Sequence, residues 1–458
     1  TGGMPIEIFY HRFSWTPLEE IDFRDWRNNV TDALLRYVTS RCAAALVRIS
    51  LRASAGWSGS AGARLIGSSR HLVAVDLTDC QGCTDRVLVT MSEHCPAVKA
   101  LRVARCPRIS GRGLLAVAEG VFAPTLVELD VSGCQLSTQQ DGGRLLIAAI
   151  CTQCVALSQW RLRNARGLAP GAFEAVLSSS GNILNETVST PKLPAITVLD
   201  VGNTSGNARP PGVREGGIAA EYLEAKAAAA AGQYQNQHRN PHLLNTAMKA
   251  GLSATDMELV FLSIRRRTRH LDLTCCYSLT DDALRGLCNK RTGWGHVPHR
   301  GFECLHTLSV EECPLLSDVA MGWVSTGCPV VEVIDISGCP MLSDWGLRAL
   351  NRMPQLRVLR LARNDKITAA GLRMMLVGDK EAPATTGPAL VEMDFTGCSK
   401  IVPEPTMRLL AANATALTTV SLTRVSEEEI DWKAMQVFVK ACTRLRNFRF
   451  GPGQYWVL

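Results

Sequence analysis

Apolar residues recur along the chain in a nine-residue pattern, Leu-x-x-Leu-x-Leu-x-x-Cys, in which x is a mostly polar position. The alternation within Leu-x-Leu is typical of a short strand with one buried face. Clean copies occupy 72–80, 98–106, 126–134, 305–313, 331–339 and 390–398, and the copy at 268–276 keeps all but the first position. Degenerate copies occupy 18–26, 46–54, 157–165, 196–204, 356–364, 417–425 and 445–453. The sequence therefore contains 14 copies of one unit.

A second pattern lies between these copies and predicts a short helix. Segments such as 280–288, 317–328, 343–350 and 368–376 open with Ser or Thr, and apolar residues then follow at spacings of three and four. This is an N-cap followed by an amphipathic helix, and an Asp in the first turn suits the helix dipole. One repeat is thus a strand, a turn and a helix, with a spacing of 26 residues in the cleanest cases.

A strand–helix unit of this size cannot bury its apolar face alone, so the repeats must stack. The sequence predicts an α/β solenoid of about 14 repeats, shaped as a horseshoe. We expect a parallel sheet on the concave face and helices on the convex face. The framework Leu positions should point into the core, and the x positions should face the concave surface.

The repeated pattern resembles that of the cysteine-containing leucine-rich-repeat family, familiar from the repeat domains of F-box proteins. The resemblance covers residues 18–458 and implies a surface for binding other proteins. An F-box of about forty residues would precede the repeats in that family, and no F-box is visible before Leu18. We therefore expect the adaptor role of F-box proteins only as the alternative function.

The spacing of the copies predicts four segments. Residues 1–17 form an N-terminal lead or cap, and 18–204 form a first array of repeats. Residues 205–250 form an insertion with a Pro/Gly-rich loop and an Ala-rich helix, which is either a mobile excursion or a docking arm for a partner. Residues 251–458 form a second array with a C-terminal cap, and shorter insertions occur at 289–301 and 378–388.

Composition excludes several classes of protein. Hydrophobic residues make up 46% of the chain and charged residues 20%, which is enough to bury a core. The net charge of +7, from 49 basic and 42 acidic residues, is a mild excess that does not predict nucleic-acid binding. The 17 cysteines follow no signal-peptide pattern, so we expect free thiols in a reducing, cytoplasmic compartment. No apolar run is long enough for a membrane span, so membrane insertion is not expected.

The candidate reactive residues are better explained by the repeat. Cys80/Cys83 and Cys151/Cys154 form Cys-x-x-Cys pairs, but one pair follows a strand and the other ends a helix, so they should not converge on a zinc ion. Seven cysteines share the last position of the strand pattern, which predicts a packing role: Cys80, Cys106, Cys134, Cys276, Cys313, Cys339 and Cys398. We find no triad-like constellation and no phosphate-binding loop. The chain is therefore not expected to be an enzyme or to need a cofactor, a metal or a small-molecule substrate.

The residue inside Leu-x-Leu carries the clearest charge pattern. It is Asp, Arg or Ser in every copy, and Asp76, Arg102, Asp130, Arg161 and Asp200 alternate in sign across five consecutive strands. We expect these neighbours to form lateral ion pairs, which either keep the concave face soluble or give a partner its register. Reversal of Arg161 and Arg360 to Glu is expected to leave folding intact. The candidate partner-binding residues fall into two basic patches and one acidic patch: Arg102, Arg161, Arg163, Glu311, Glu312, Arg357, Arg360 and Arg363.

These features favour a non-enzymatic scaffold that binds other proteins through its concave face and its insertions. By analogy, an architectural subunit of a large cytoplasmic or cytoskeletal assembly, such as a ciliary axoneme, fits this description. The alternative is substrate recognition in a cullin-RING ubiquitin ligase, which the resemblance to F-box proteins implies.

Overall fold

A computed structural model describes residues 18–138, 142–169, 171–173, 196–202, 260, 267–276, 279–285, 301–378, 389–423, 432–450 and 454–457. The chain divides into two compact units, and the described residues up to 202 belong to the first and those from 260 onward to the second. The predicted lead at 1–17 and the insertion at 205–250 lie outside the described residues, as do nearly all of the segments 289–301 and 378–388.

The described part of the first unit contains seven strands and five α-helices. The strands are β1 (Glu20–Asp22), β2 (Arg48–Ser50), β3 (Ala74–Asp76), β4 (Ala100–Arg102), β5 (Glu128–Asp130), β6 (Gln159–Arg161) and β7 (Val198–Asp200). The helices are α1 (Asp32–Arg41), α2 (Gly59–Ser68), α3 (Asp85–His94), α4 (Gly111–Glu119) and α5 (Arg144–Gln153). Short 3-10 helices occupy Arg27–Asn29 and Ala123–Thr125. Each strand pairs in parallel with the next strand along the chain.

The described part of the second unit repeats this arrangement. Its strands are β8 (His270–Asp272), β9 (Thr307–Ser309), β10 (Val333–Asp335), β11 (Val358–Arg360), β12 (Glu392–Asp394), β13 (Thr419–Leu422), β14 (Asn447–Phe450) and β15 (Gln454–Val457). Its helices are α6 (Asp281–Arg285), α7 (Asp318–Gly327), α8 (Asp344–Leu350), α9 (Ala369–Leu376), α10 (Pro403–Asn413) and α11 (Trp432–Ala441). Strands β8 to β14 pair in parallel in chain order, and β15 pairs antiparallel with β14.

The prediction of an α/β repeat solenoid with about 14 repeats is confirmed. Each of the strands β1 to β14 lies where a copy of the nine-residue pattern predicts it. The second residue of every one of these strands is buried, because it points into the core between strands and helices. Strand β15 lies in the segment predicted as a C-terminal cap and covers the edge of β14.

The helices begin where the sequence places their caps. Ser317, Ser343 and Thr368 are the N-caps of α7, α8 and α9, and each side-chain oxygen accepts a hydrogen bond from an amide of the first turn. Consecutive helices within each unit pack against each other. The first and third residues of most strands are half-exposed, so one face of each sheet, called here the open face, meets solvent.

Candidate partner-binding surface

The third residues of the strands form a register-matched row on the open face of each unit, called here the central column. In the first unit Asp76 pairs with Arg102, Arg102 with Asp130, and Asp130 with Arg161 as neighbouring positions of the sheet. In the second unit Asp335 lies beside Arg360, which lies beside Asp394. The alternation of charge read from the sequence is therefore present in space.

The aspartates of this column shape the turns that follow the strands. In each case Oδ1 accepts the backbone N–H of the residue two positions later, at 2.8–3.0 Å. This is an Asx turn, in which a short carboxylate replaces a backbone carbonyl and starts the bend. The aspartates that do this are Asp22, Asp76, Asp130, Asp200, Asp272, Asp335 and Asp394. Their carboxylates are thus already engaged in structure.

In the first unit Arg102 and Arg161 form ion pairs with Glu128, which lies outside the central column and is not among the residues predicted from the sequence. Arg102 donates from Nε and Nη2 to the two carboxylate oxygens of Glu128, at 2.8 and 2.9 Å. Arg161 donates from Nη1 to the same Glu128, at 2.5 Å. Glu128 is the first residue of β5, so one carboxylate offset from the column binds two arginines that flank it on either side.

Glu128 is held in the ionised state by these arginines. Its side chain is 10% exposed, whereas those of Arg102 and Arg161 are 48% and 32% exposed. Burial alone would raise the pKa of the Glu128 carboxyl, but the hydrogen bonds and charges of Arg102 and Arg161 outweigh burial and lower the pKa. The carboxylate therefore acts as a fixed anchor that orients two guanidinium groups toward solvent.

A second row of side chains follows the strands one turn later. The residue before the Cys position adopts a left-handed backbone in both units, with φ between 55° and 77° at Asp79, Arg105, Glu312, Gly338, Arg363 and Gly397 among others. Asp79 binds Arg105 through two hydrogen bonds of 2.5 and 2.6 Å. Arg105 belongs to this row, but the sequence pattern does not mark it, because its left-handed backbone becomes apparent only in the folded turn.

In the second unit Arg363 joins the expected basic patch to the expected acidic patch, and Arg360 forms a separate set of ion pairs. Arg363 donates to Glu311 and Glu312, each at 3.0 Å, although two strand spacings separate residue 363 from residue 312. Gly338 lies between them, and its missing side chain leaves the space that the arginine crosses. Arg360 binds Glu392 at 3.1 Å and lies 4.0 Å from Asp335. Within the described residues Arg357 is exposed and has no ion pair.

The candidate residues of the first unit lie around one shallow depression. Arg102, Arg161 and Arg163 line it, together with Arg52 and Arg105, and its volume is about 360 Å³. We call these five arginines, with Glu128 at their centre, the arginine basin. Three of the five, Arg102, Arg161 and Arg163, are predicted from the sequence because they lie within the nine-residue pattern at positions that should face the open surface. Arg52 and Arg105 lie two and three residues after a strand, where the turn brings them back to the open face.

The buried cysteines hold neighbouring repeats together. Six thiols of the predicted position donate to the carbonyl that follows the preceding strand, at 2.9–3.2 Å: Cys80, Cys106, Cys134, Cys313, Cys339 and Cys398. Asn364 occupies the same position in the repeat of β11, and its amide donates to Ile336 O and accepts from Cys339 N, both at 2.8 Å. The predicted packing role of this position is confirmed.

These thiols are poor nucleophiles. Burial raises the pKa of Cys80, Cys134, Cys339 and Cys398 to about 12, so each stays protonated near neutral pH. Cys80 and Cys83 follow β3, whereas Cys151 lies in the last turn of α5 and Cys154 caps it. Among the described residues, no group of three or more His, Cys, Asp and Glu side chains is arranged to hold a metal ion.

Comparisons with known proteins identify a similar structure but no family. No family model matches the sequence. No curated protein matches it. A chain in the crystal structure of the Rad7 and Elc1 complex in yeast aligns over 90% of this chain and 90% of its own length, with 15% sequence identity and a TM-score of 0.44. Of the helices in the described residues, none is long and apolar enough to cross a membrane.

Proposed function

We propose that this protein is a non-enzymatic scaffold that binds another protein through the open face of its repeats. The observation that carries the proposal is the arginine basin, in which buried Glu128 fixes Arg102 and Arg161 while their guanidinium groups remain partly exposed. Side chains that are ordered before binding lose less conformational entropy when a partner arrives. Charged groups fixed in this way also give a partner its orientation and raise its association rate.

The repeats are proposed to be of the cysteine-containing leucine-rich type. Six thiol-to-carbonyl hydrogen bonds between successive repeats support this assignment. They show that the recurrent Cys position links one repeat to the preceding one. We also propose a cytoplasmic location, and a role as an architectural subunit of a larger assembly. The buried free thiols support a reducing compartment.

Variants of the arginine basin test this function. Arg161 is unsuitable for charge reversal, contrary to the expectation from sequence, because a Glu at this position would meet the carboxylate of Glu128. Arg52→Glu combined with Arg105→Asn is preferable. Arg52 is exposed, and Asn tolerates the left-handed backbone at position 105. The matched control is Arg86→Glu with Arg112→Asn, which makes the same charge change on the exposed faces of α3 and α4.

The measurement is affinity capture from the source cells with chemical cross-linking and mass spectrometry. We expect the wild-type chain and the control variant to recover the same partner, with cross-links on the open face, and the basin variant to recover about tenfold less. Equal recovery by all three proteins would contradict the use of this face. Copurification of a cullin adaptor with the wild-type chain would instead favour the role in a ubiquitin ligase.

A further inference from the structure

The arginine basin carries more positive than negative charge toward solvent. Five arginines and three carboxylates line it. Glu128 is 10% exposed and binds two of the arginines, while Asp130 and Asp200 accept the backbone N–H groups of Ser132 and Gly202. By contrast, the side chains of Arg102 and Arg105 are 48% and 56% exposed. Glu128 is therefore occupied by two arginines, and Asp130 and Asp200 each bind a backbone amide through one oxygen, whereas about half of the Arg102 and Arg105 side chains is exposed to solvent.

Several guanidinium donors remain available for a ligand. An arginine has five N–H donors in a planar fork. Arg102 uses Nε and Nη2 to bind Glu128, and Arg105 uses Nε and Nη2 to bind Asp79. Within the described part of the chain, the Nη1 group of each makes no hydrogen bond. Two fixed arginines thus present unused donors with the geometry that suits a carboxylate.

Small residues open a trough between these arginines. Arg52 and Arg163 each lie two residues after a strand, β2 and β6 respectively, and form the two ends of the trough. The equivalent positions after β3, β4 and β5 are Thr78, Ala104 and Ser132, which line its floor. Backbone hydrogen bonds link consecutive turns along this row, from Ala53 N to Thr78 O and from Gly133 N to Arg163 O. Four strand spacings make the trough about 19 Å long, enough for roughly six extended residues.

The chemistry of the trough favours a peptide over a nucleic acid. Of the described residues that line it, none is aromatic, so bases would have no platform on which to stack. Thr78 and Ser132 add hydroxyl groups that can meet a peptide backbone.

We propose that the arginine basin binds an extended acidic segment of a partner protein, laid across strands β2 to β6. This inference rests on the proposed function and adds the chemistry of the bound segment. Carboxylates of the segment bind the free donors of Arg102 and Arg105 and the exposed guanidinium of Arg52, while its backbone follows the row of small residues.

Fluorescence anisotropy with the full chain tests the inference. The probe is a labelled peptide of about twelve residues that alternates Glu and Ser, compared with a Lys–Ser peptide and a single-stranded oligonucleotide of equal charge. We expect the Glu–Ser peptide to bind and the Lys–Ser peptide not to bind. The dissociation constant of the Glu–Ser peptide should rise about tenfold in the Arg52→Glu/Arg105→Asn variant and less than about twofold in the Arg86→Glu/Arg112→Asn control. If circular dichroism shows that the double variant does not fold, the binding measurement is made with Arg52→Glu alone.

Two results would overturn the inference. One is equal affinity of the acidic peptide for the basin and control variants. The other is an oligonucleotide that binds more tightly than the peptide and loses affinity in the same variant, which would make the basin a nucleic-acid site. Neither result decides the proposed function, because partner capture by the full chain is measured separately and can depend on the open face without an acidic segment.

Discussion

At the scale of single residues, the most consequential side chain is Glu128. A buried carboxylate is costly unless paired charges and hydrogen bonds compensate it, and here two arginines from neighbouring strands supply three N–H donors. The same contacts fix the arginines for binding. Structure and proposed function therefore depend on one carboxylate that the sequence pattern does not mark.

The substitution Glu128→Gln should lower the unfolding free energy of the first unit. It should also make this free energy less dependent on pH in the acid range. Since the pKa of Glu128 is lowered in the folded state, its stabilisation is present above the ordinary pKa of 4.5 and is lost as the pH falls. We expect the variant to lose about 1–3 kcal/mol at pH 7 and to approach the wild type as the pH falls below 4.5. Urea unfolding from pH 3 to pH 7 measures this difference.

The control for this variant is Glu20→Gln. Glu20 also binds an arginine, Arg48, at 2.8 Å, but its side chain is 62% exposed. An exposed pair contributes at most about 1 kcal/mol, so this variant should follow the wild type at every pH. Equal losses in the two variants would show that burial of Glu128 has no special effect.

At the scale of neighbouring helices, an Asp in the first turn of one helix binds the N-cap residue of the next helix, in addition to stabilising its own helix dipole. Asp344 accepts the N–H and the hydroxyl of Thr368, the N-cap of the next helix, at 2.8 and 2.7 Å. Asp318 binds Ser343 in the same way, and Asp85 binds Ser110. A glycine follows each N-cap by three residues, and its missing Cβ makes room for the carboxylate. An Asp directly after the N-cap of one helix and a Gly three residues after the N-cap of the next therefore join consecutive helices.

Two helical glycines should respond oppositely to alanine. In Gly371→Ala the new Cβ would overlap Oδ1 of Asp344 and lie 2.8 Å from its Cα, so we expect the variant to lose about 1–3 kcal/mol of unfolding free energy. In α7, Gly322→Ala meets no atom within 4 Å, so it should gain about 0.5–1 kcal/mol from helix propensity. Chemical denaturation of both variants measures the difference. A gain in Gly371→Ala would contradict the close packing of the carboxylate.

The strands of this protein are predictable from its sequence, whereas its ion pairs are not. Periodicity located the strands because the apolar residues of one repeat are set by burial, which repeats identically in every period. The ion pairs of Arg102 and Arg161 could not be found from one position per repeat, because Glu128 is offset by two residues and lies diagonally across the strands. The reach of Arg363 past Gly338 depends on a left-handed turn and a neighbour without a side chain. Such contacts become visible only when several repeats are superposed in register.

At the scale of the whole molecule, both units share one stabilising device, the buried thiol. The stability of a repeat protein is close to the sum of its repeats and the contacts between neighbours, so a small contribution repeated many times becomes large. Burial raises the pKa to about 11 or 12 for eight of the described thiols: Cys80, Cys95, Cys134, Cys151, Cys154, Cys339, Cys398 and Cys442. Five of them lie in the first unit and three in the second.

This distribution predicts alkaline unfolding that begins in the first unit. The unfolded chain releases its thiol protons near pH 9, whereas the folded chain keeps them until about pH 11 or 12, so stability falls as the pH rises through this window. Each thiol lowers the unfolding free energy by up to about 1.4 kcal/mol per pH unit. Several together approach the roughly 5–15 kcal/mol that holds a domain folded.

Hydrogen exchange between pH 8 and pH 10 under reducing conditions should show amides of the first unit losing protection before those of the second, after correction for the intrinsic exchange rate.

Cys151→Val removes one titrating thiol from α5 and should reduce the pH slope of the unfolding free energy by about one proton. Ile147→Val on the same helix is the control, since it removes buried volume without a titrating group and should lower stability while leaving the slope unchanged. Identical slopes in wild type and Cys151→Val would contradict the thiol mechanism, because the helix packing is altered in both variants and only one of them removes a proton.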